Sequence, residues 1–552
     1  MSHRSSLRLA SGLALFAALL GPDVSAGESP PEREDKERAP IAAPSPYSGT
    51  VYDFAMDTVA GELMAPDMGA TPGGAQDIGY FRDRVQAGEI PHPNTFTPEG
   101  LFSEHDLPVA AGKRCGQLLC TVGEAMPAGL MVQPEVRYLA QLGFSSNLDP
   151  RTFKRAPLHL VAVIDKSGSM SGQPLELVKE SLIKVVSQMN ADDELSIVLY
   201  GDRSHVYLIP TAVRERGAIV RAIRGIASAG STNMEEGLAV GFRLARSHSF
   251  AGSTRVMLFT DERPNVGSTD ANSFMGMARD GSRAGIGMTT IGVGVQFGAE
   301  LATAISSVRG GNLFFFSDVG EMQRRFEQEF DTMVTELAYD MRLTVQPAAG
   351  LKIAGVYGIP GKALKWEDGG KISMAVETIF LSRKKGAIYV ALASDTRPGM
   401  PETRAAVGGP VAGVQLGYLE RTGKRVQASV DLTLVAADRA SVGLTRGRVL
   451  VEQATSLASA ATLHHESNDQ EKAYQIVHAL ASTLRQTSDP ELAEERTLVF
   501  TLERTLAKLS GHQGEPSAAG VAVDRVTGLP ARTGVGVKAM VGVDRVAGLP
   551  NR

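Results

Sequence analysis

Residues 159–170 read HLVAVIDKSGSM, a run of apolar, mostly β-branched residues that ends abruptly at an aspartate. Because both faces of a strand in a parallel sheet are covered, such an unbroken apolar run predicts a buried strand of that kind. Asp165, Ser167 and Ser169 then occupy the loop at the carboxyl end of the strand, where open α/β sheets bind their ligands. Three closely spaced oxygen donors suit a small divalent cation, although the same residue types also form ordinary turns.

Two further segments place oxygen-bearing side chains at the end of a predicted element. Residues 230–233, GSTN, form a small polar loop directly before a helical segment, and residues 257–261, MLFTD, are another apolar strand that ends in aspartate. The carboxyl ends of strands in a doubly wound sheet meet at one edge, so Thr232 and Asp261 are expected beside the first loop. Two carboxylates and three hydroxyls leave a coordination position for water or a partner's carboxylate. Mg²⁺ fits this set best, with Ca²⁺ or Mn²⁺ as alternatives.

The DKSGS motif at residues 165–169, followed by Thr232 and Asp261, resembles the metal-ion-dependent adhesion site of von Willebrand factor type A domains. The resemblance covers about residues 157–337. It implies a doubly wound, mostly parallel, Rossmann-like α/β sheet. It also implies that the two serines and the threonine contact the metal directly, while the aspartates act through water.

One position departs from the family's pattern. Glu262 and Arg263 follow Asp261, whereas the family usually has a glycine there that eases the turn. The geometry of Asp261 is therefore the least defined part of the predicted site. The segment before the α/β region is similar to a bacterial exported subgroup of such proteins, and the similar stretches are FR at 81–82, GEIP at 88–91, FTPEGL at 96–101 and HDLP at 105–108.

The apolar periodicity predicts an α/β domain at residues 157–338, because strand-like and helix-like segments alternate there. Its predicted strands are 158–164, 194–199, 206–210, 254–260, 289–295 and 313–316. Residues 339–440 change to short strands separated by glycine and proline turns. We expect a β-sandwich, completed by strands from residues 47–156, with the α/β domain inserted between them; two separate β modules are the alternative. A helical period returns at residues 441–510 and predicts three short helices.

The amino terminus predicts export. Residues 1–26 have two arginines before a short apolar run and small residues at the end, which is the design of a secretory signal. We therefore expect a periplasmic or extracellular protein, with no transmembrane segment in the mature chain. Residues 27–46 are proline-rich and charged, which is typical of a disordered linker. The net charge of −5, without a long basic run, argues against nucleic-acid binding.

Two smaller features remain. Cys115 and Cys120 are the two cysteines of the chain and cannot build a four-ligand zinc site alone. In an exported chain they are candidates for a disulfide that closes a small loop. Residues 511–552 form a predicted flexible tail with a short repeat, VDRVTGLP at 523–530 and VDRVAGLP at 543–550. Two copies are too few for a solenoid, and no role follows from the pattern.

Three functions are compatible with these features. The leading hypothesis is a binding module, in which a divalent cation engages an acidic side chain of a protein partner in adhesion or envelope assembly. The alternatives are a metal-independent scaffold of the cell envelope and a metal-assisted hydrolase. The chain has no HExxH, GxSxG or GxxxxGK[ST] motif, so we expect that it is not an enzyme.

Overall fold

The computed structural model describes most of the chain after the first 68 residues. The described residues are 69–72, 78–108, 115–149, 152–262, 273–293, 304–305, 307–316, 319–359, 364–382, 384, 386–395 and 404–512. All of them belong to one compact unit that begins at Met64. The predicted signal segment, the linker and residues 513–552 of the predicted tail lie outside the described residues.

Strands and helices are numbered in chain order. The strands are β1 (Gly69–Pro72), β2 (Cys120–Pro127), β3 (Val136–Ser145), β4 (Leu158–Asp165), β5 (Glu194–Tyr200), β6 (His205–Ala212), β7 (Ser253–Thr260), β8 (Ile286–Val293), β9 (Gly311–Phe316), β10 (Glu336–Pro347), β11 (Leu351–Tyr357), β12 (Leu364–Trp366), β13 (Ile372–Ser382), β14 (Ala387–Ser394), β15 (Pro410–Glu420) and β16 (Arg425–Leu434). The helices are α1 (Gly79–Gln86), α2 (Pro98–Ser103), α3 (Gln173–Gln188), α4 (Arg216–Arg224), α5 (Met234–Ser247), α6 (Phe274–Arg283), α7 (Val319–Val334), α8 (Val442–His465), α9 (Gln470–Gln486) and α10 (Ala493–Leu509).

The α/β domain is built on a six-stranded sheet in the order β6-β5-β4-β7-β8-β9. All neighbouring strands are parallel except β6, which pairs antiparallel with β5 at one edge. Every residue of β4 is buried because helices cover both faces of the sheet. Apolar residues of α3, α4 and α7 pack on one face, and those of α5 and α6 pack on the other. The predicted doubly wound, mostly parallel sheet is confirmed.

The strands outside this domain form a second, ten-stranded sheet in the order β1-β13-β10-β15-β16-β2-β3-β14-β11, with β12 added on β13. Its pairs are antiparallel except β16–β2, which is parallel. A bridge from Gly69 to Ser145 joins β1 to β3, so the sheet closes on itself around an apolar core. Strands β2 and β3 precede the α/β domain and β10 follows it. The α/β domain is therefore inserted into the β domain.

The three carboxy-terminal helices, α8 to α10, pack together and against the segment that carries α1 and α2. A buried carboxylate, Glu495, stabilises the contact between these helices and the amino-terminal segment. Its Oε1 accepts hydrogen bonds from Arg82 (2.5 Å) and His105 (3.0 Å), and its Oε2 accepts one from Gln453. In the described part of the chain, no helix has the length and apolar character needed to cross a membrane.

Ion pairs join the α/β domain to the β domain at the amino ends of the parallel strands. Arg155, in the segment between β3 and β4, contacts Asp193 at 2.5 Å and Asp331 of α7 at 2.6 Å, and so fixes this connection to the α/β domain. Arg255 in β7 pairs with Glu336, the first residue of β10. The carboxyl ends of the strands are therefore at the opposite edge of the sheet from these connections.

Cys115 and Cys120 are joined by a disulfide, with their Cα atoms 5.7 Å apart. The bond closes a short loop at the start of β2. The disulfide predicted for these two cysteines is therefore present in the structure.

Candidate metal centre at the carboxyl edge of the sheet

Two neighbouring parallel strands bring the two predicted aspartates to one edge of the sheet. Asp165 is the last residue of β4, and Ile164 pairs with Phe259 of β7. Asp261 therefore lies one residue beyond the end of β7. Neighbouring strands such as β4 and β7 are about 4.8 Å apart. Asp165 is fully buried and Asp261 is half-buried.

The loop after β4 turns its serine hydroxyls toward this edge. Asp165 Oδ1 accepts a hydrogen bond of 2.8 Å from the backbone N–H of Ser167. The hydroxyl oxygens of Ser167 and Ser169 are 3.0 Å apart. Ser167 is buried and Ser169 is exposed, so the pair extends from the aspartate toward solvent. The alternate spacing predicted from the sequence thus places one carboxylate and two hydroxyls in a single cluster.

The loop that carries Thr232 is fastened to the first loop by backbone hydrogen bonds. Gly168 N–H donates to the carbonyl of Gly230 at 3.0 Å, and Ala229 N–H donates to the carbonyl of Lys166 at 2.6 Å. The Nζ of Lys166 donates in turn to the carbonyl of Ala229 at 2.8 Å. Thr232 follows two residues after Gly230 and is half-buried. The loop that carries Thr232 therefore lies against the loop that carries the two serines.

Gly230 is the residue that permits this close approach. Its φ of +91° is a backbone conformation that favours glycine, and a Cβ there would lie 2.7 Å from Asp202 Oδ2. Asp202 in turn accepts hydrogen bonds from the backbone and hydroxyl of Ser231, at 2.8 and 2.7 Å. The polar loop is thus fixed on both sides of Gly230.

The electrostatics of the cluster favour a cation. Burial raises the pKa of Asp165, and the nearby charge of Asp261 raises it further. Asp165 Oδ2 and Asp261 Oδ1 are both buried and have no hydrogen-bond partner among the described residues. An unpaired buried oxygen of this kind costs on the order of 1–3 kcal/mol, more when it is charged. Two such oxygens at one sheet edge are suited to bind a positively charged ligand.

The donor set fits a hard divalent cation. Its members are carboxylate and hydroxyl oxygens, which suit Mg²⁺ better than the softer metals that prefer nitrogen or sulfur. Within the described ranges, no group of three or more histidine, cysteine, aspartate or glutamate side chains is arranged to hold a metal. Asp165, Asp261, Ser167 and Ser169, with the loop of Thr232 against them, form the candidate metal centre.

Tyr200 is a residue of this edge that the sequence analysis missed. It ends β5, is fully buried, and its hydroxyl donates to the carbonyl of Phe259 at 3.5 Å. Burial raises the pKa of Tyr200 well above its usual value, and the charge of Asp165 adds to this effect. The phenol therefore stays neutral under the site. One indication in the sequence that Tyr200 belongs to this edge is its position directly after the predicted strand 194–199.

Glu262, where the sequence departs from the family's pattern, turns its side chain outward. Its backbone N–H donates to Thr260 Oγ1 at 3.0 Å, and its side chain is exposed. The hydroxyl of Thr260 thus closes the turn for which the family usually uses glycine. Arg263 lies outside the described residues.

The fold and the site together define the class of domain in this part of the chain. It is an open, doubly wound α/β domain with carboxylate and hydroxyl donors at the carboxyl edge of its sheet. Residues 159–328 match the family model of the von Willebrand factor type A domain. The chain therefore contains such a domain, hereafter the A domain, and the resemblance seen in the sequence is confirmed to that extent.

Relatives match about a third of the chain. An uncharacterised protein of Synechocystis sp. is 29% identical over 180 residues, which are 33% of this chain and 42% of that protein. An uncharacterised protein of Escherichia coli is 29% identical over 191 residues, 34% of this chain and 33% of the relative. The chain thus spans less than half the length of either relative. A von Willebrand factor type A structure from Catenulispora acidiphila has a TM-score of 0.41 and 14% identity, and covers 74% of this chain and 89% of its own.

Proposed function

We propose that the A domain binds Mg²⁺ and uses it to engage an acidic group on a protein partner. The observation that supports this proposal is the pair of buried, unpartnered carboxylate oxygens, Asp165 Oδ2 and Asp261 Oδ1, at one sheet edge. The hydroxyls of Ser167 and Ser169 are 3.0 Å apart, and Thr232 is the third hydroxyl ligand in the proposal. Ca²⁺ and Mn²⁺ are alternative occupants with the same ligand preference.

Each residue has a defined part in this proposal. Ser167, Ser169 and Thr232 offer hydroxyl oxygens to the cation, and the two aspartates balance its charge. When bound, Mg²⁺ supplies a positive centre with near-octahedral coordination, so the five side chains of this set leave room for a ligand from outside. A carboxylate from a partner is a hard, negatively charged ligand that suits this position.

The proposed role is binding in the cell envelope or outside the cell, not catalysis. Export is supported by the secretory pattern of residues 1–26 and by the disulfide between Cys115 and Cys120, since disulfides persist in oxidising compartments. Amino-terminal sequencing of the protein recovered from a periplasmic or culture fraction tests this, and a chain that keeps residues 1–26 in the cytoplasm would contradict it.

Metal binding is tested with a matched pair of serine variants from the same loop. Ser169→Ala removes a proposed ligand, whereas Ser171→Ala removes an exposed serine that is outside the ligand set. In wild type and Ser171→Ala, saturating Mg²⁺ is expected to raise the unfolding free energy, by about 2.7 kcal/mol at one hundred times the dissociation constant. Isothermal titration and thermal melts of Ser169→Ala are expected to show at least tenfold weaker binding. No heat and no melting shift in the wild type would favour the metal-independent scaffold.

Partner capture gives the second arm of the test. Binding of a protein partner is expected in Mg²⁺ and lost in chelator or in Asp165→Ala. Capture that ignores both conditions would contradict the proposal. Metal-dependent turnover of esters, peptides or phosphoesters by the purified protein would instead favour the hydrolase.

A further inference from the structure

A short loop after β5, residues 201–204, lies against the segment that carries Thr232 and is called the Asp202 loop below. Asp202 Oδ1 accepts a hydrogen bond from the backbone N–H of Ser231 at 2.8 Å and a second one from the Ser231 hydroxyl at 2.7 Å. These two hydrogen bonds lower the pKa of Asp202 below its usual value, so the carboxylate is charged at neutral pH. A charged acceptor forms stronger hydrogen bonds than a neutral one. The residue directly before Thr232 is therefore fixed by a single carboxylate.

The Asp202 loop also holds the chain on the other side of Thr232. Ser204 donates from its backbone N–H and from its hydroxyl to Glu236 Oε2, at 3.2 and 3.1 Å. The backbone N–H of Glu236 donates in turn to Oδ1 of Asn233, the amino-terminal cap of α5, at 3.2 Å. Thr232 therefore lies between two attachments to the same loop, one before it in the chain and one after it.

Close packing fixes the Asp202 loop relative to both neighbouring segments. A Cβ at Gly201 would lie 2.9 Å from the carbonyl oxygen of Ala229, which is closer than a side chain tolerates, so the Asp202 loop is in tight contact with the segment before Thr232. The backbone N–H of Lys166 donates to the carbonyl of Tyr200 at 3.0 Å, which attaches the loop of the two serines to the end of β5. The Asp202 loop is therefore a common support for the segments that carry the three hydroxyls.

We propose that Asp202 is a positioning residue of the metal centre. It fixes Ser231, and through Ser231 it holds the hydroxyl of Thr232 in place for the cation, without contacting the cation itself. This inference rests on the proposed function, because it concerns the same site. Residues that orient metal ligands in this way contribute strongly to affinity, and their loss typically weakens metal binding by about ten- to one-hundredfold.

Isothermal titration of the purified full chain with Mg²⁺ tests the inference. Asp202→Ala removes the acceptor of both hydrogen bonds and is expected to weaken Mg²⁺ binding by about tenfold. Asp202→Asn is the matched control, because it removes the charge but keeps an oxygen that accepts from Ser231, and its binding is expected to stay within about threefold of wild type. Equal losses in the two variants would overturn the inference, because only the charge of Asp202 would then matter.

A double variant shows whether Asp202 acts through Thr232. When Asp202→Ala is added to Thr232→Ala, Mg²⁺ binding is expected to weaken by less than about twofold further, because both changes affect the same contact. A further loss as large as that in the wild-type background would overturn the inference. Mg²⁺ binding that is equal in wild type and Asp202→Ala overturns the positioning role alone, whereas no Mg²⁺ binding by the wild type overturns the proposed function as well.

Amide hydrogen exchange in the metal-free protein gives a measurement that does not depend on the cation. Exchange of residues 230–233 is expected to be faster in Asp202→Ala and unchanged in Asp202→Asn, while β4 keeps its wild-type exchange in both variants. Unchanged exchange of residues 230–233 in Asp202→Ala would overturn the inference. Faster exchange throughout β4 would show a general structural role for Asp202 and would overturn it too.

Discussion

Two buried carboxylates, in the A domain and in the carboxy-terminal helices, have opposite surroundings. Asp165 and Glu495 are both 0% exposed. Both oxygens of Glu495 accept hydrogen bonds from Arg82, His105 and Gln453, whereas Asp165 Oδ2 has no partner among the described residues. Burial alone would raise the pKa of Glu495, but His105 and Arg82 lower it to about 2; burial leaves the pKa of Asp165 raised.

The difference separates a carboxylate that is satisfied within the fold from one that is proposed to bind a cation. Burying a charge is costly unless the group is paired and hydrogen-bonded. Glu495 meets that condition within the protein, so it stabilises the contact between α10 and the amino-terminal segment. Asp165 meets it only in part, because its Oδ1 accepts the backbone N–H of Ser167 while its Oδ2 has no partner among the described residues; the cation proposed above would supply the missing opposite charge.

The largest expected change in the free energy of unfolding comes from a substitution at Glu495. Glu495→Ala leaves Arg82, His105 and Gln453 without their shared acceptor in a buried place, so we expect the unfolding free energy to fall by about 3–5 kcal/mol. Urea unfolding measures this. Glu494→Ala, at an exposed neighbouring position on the same helix, is the control and is expected to change it by less than about 0.5 kcal/mol. Equal effects of the two variants would contradict the distinction.

Glu452 is an intermediate case that sharpens the comparison. Its carboxylate accepts the backbone N–H of Met131 at 2.9 and 3.2 Å, but burial dominates and raises its pKa to about 7. Because the folded pKa exceeds the unfolded one, this group's contribution to stability is present below about pH 4.5 and is lost as the pH rises through about 7.

Glu452→Gln is therefore expected to raise the unfolding free energy at pH 8 by about 1–3 kcal/mol and to have little effect at pH 4.5. Urea unfolding at the two pH values gives the comparison, with the exposed Glu466→Gln as the control. A gain that is the same at both pH values would rule out titration of Glu452 as its cause.

The smallest expected change in the free energy of unfolding is at Asp165, and it has the opposite sign to the change at Glu495. In metal-free protein, Asp165→Asn removes a poorly solvated charge, so we expect the unfolding free energy to rise by about 1 kcal/mol. The same variant is expected to lose the stabilisation by Mg²⁺. Thermal melts with and without the metal measure both, and Asp192→Asn, at an exposed position, is the control. A strong loss of stability without metal would mean that Asp165 is structural.

The sequence was most informative where local pattern and burial agree. Each of the six predicted strands of the A domain is present. Five are largely buried apolar runs, as expected of strands covered on both faces, whereas β6 is an exposed edge strand. Strand β13 lies in the region of predicted short strands, but its bounds were not predicted, although it alternates buried and half-buried residues over most of its length. Its partners are far apart in the chain, and a single sequence does not show which strands pair.

The residues of the candidate site also differ in how far the sequence predicts their positions. The carboxyl ends of β4 and β7 could be predicted from the apolar runs that precede Asp165 and Asp261. The position of Thr232 depends on contacts between loops, such as the hydrogen bond from Gly168 to Gly230, which no local pattern reveals. The role of Thr260 in closing the turn before Glu262 was likewise not predictable, because it depends on one side-chain rotamer.

The insertion of the A domain has a mechanical consequence. Strand β7 runs for eight residues, about 26 Å, from the region of the ion pair between Arg255 and Glu336 to the candidate metal centre. A load applied at the centre by a bound partner would cross the whole sheet and then divide between two covalent connections, one to β3 and one to β10. Both strands belong to the same closed sheet. Tension would therefore be shared by two attachments and resisted by one hydrogen-bonded ring of strands.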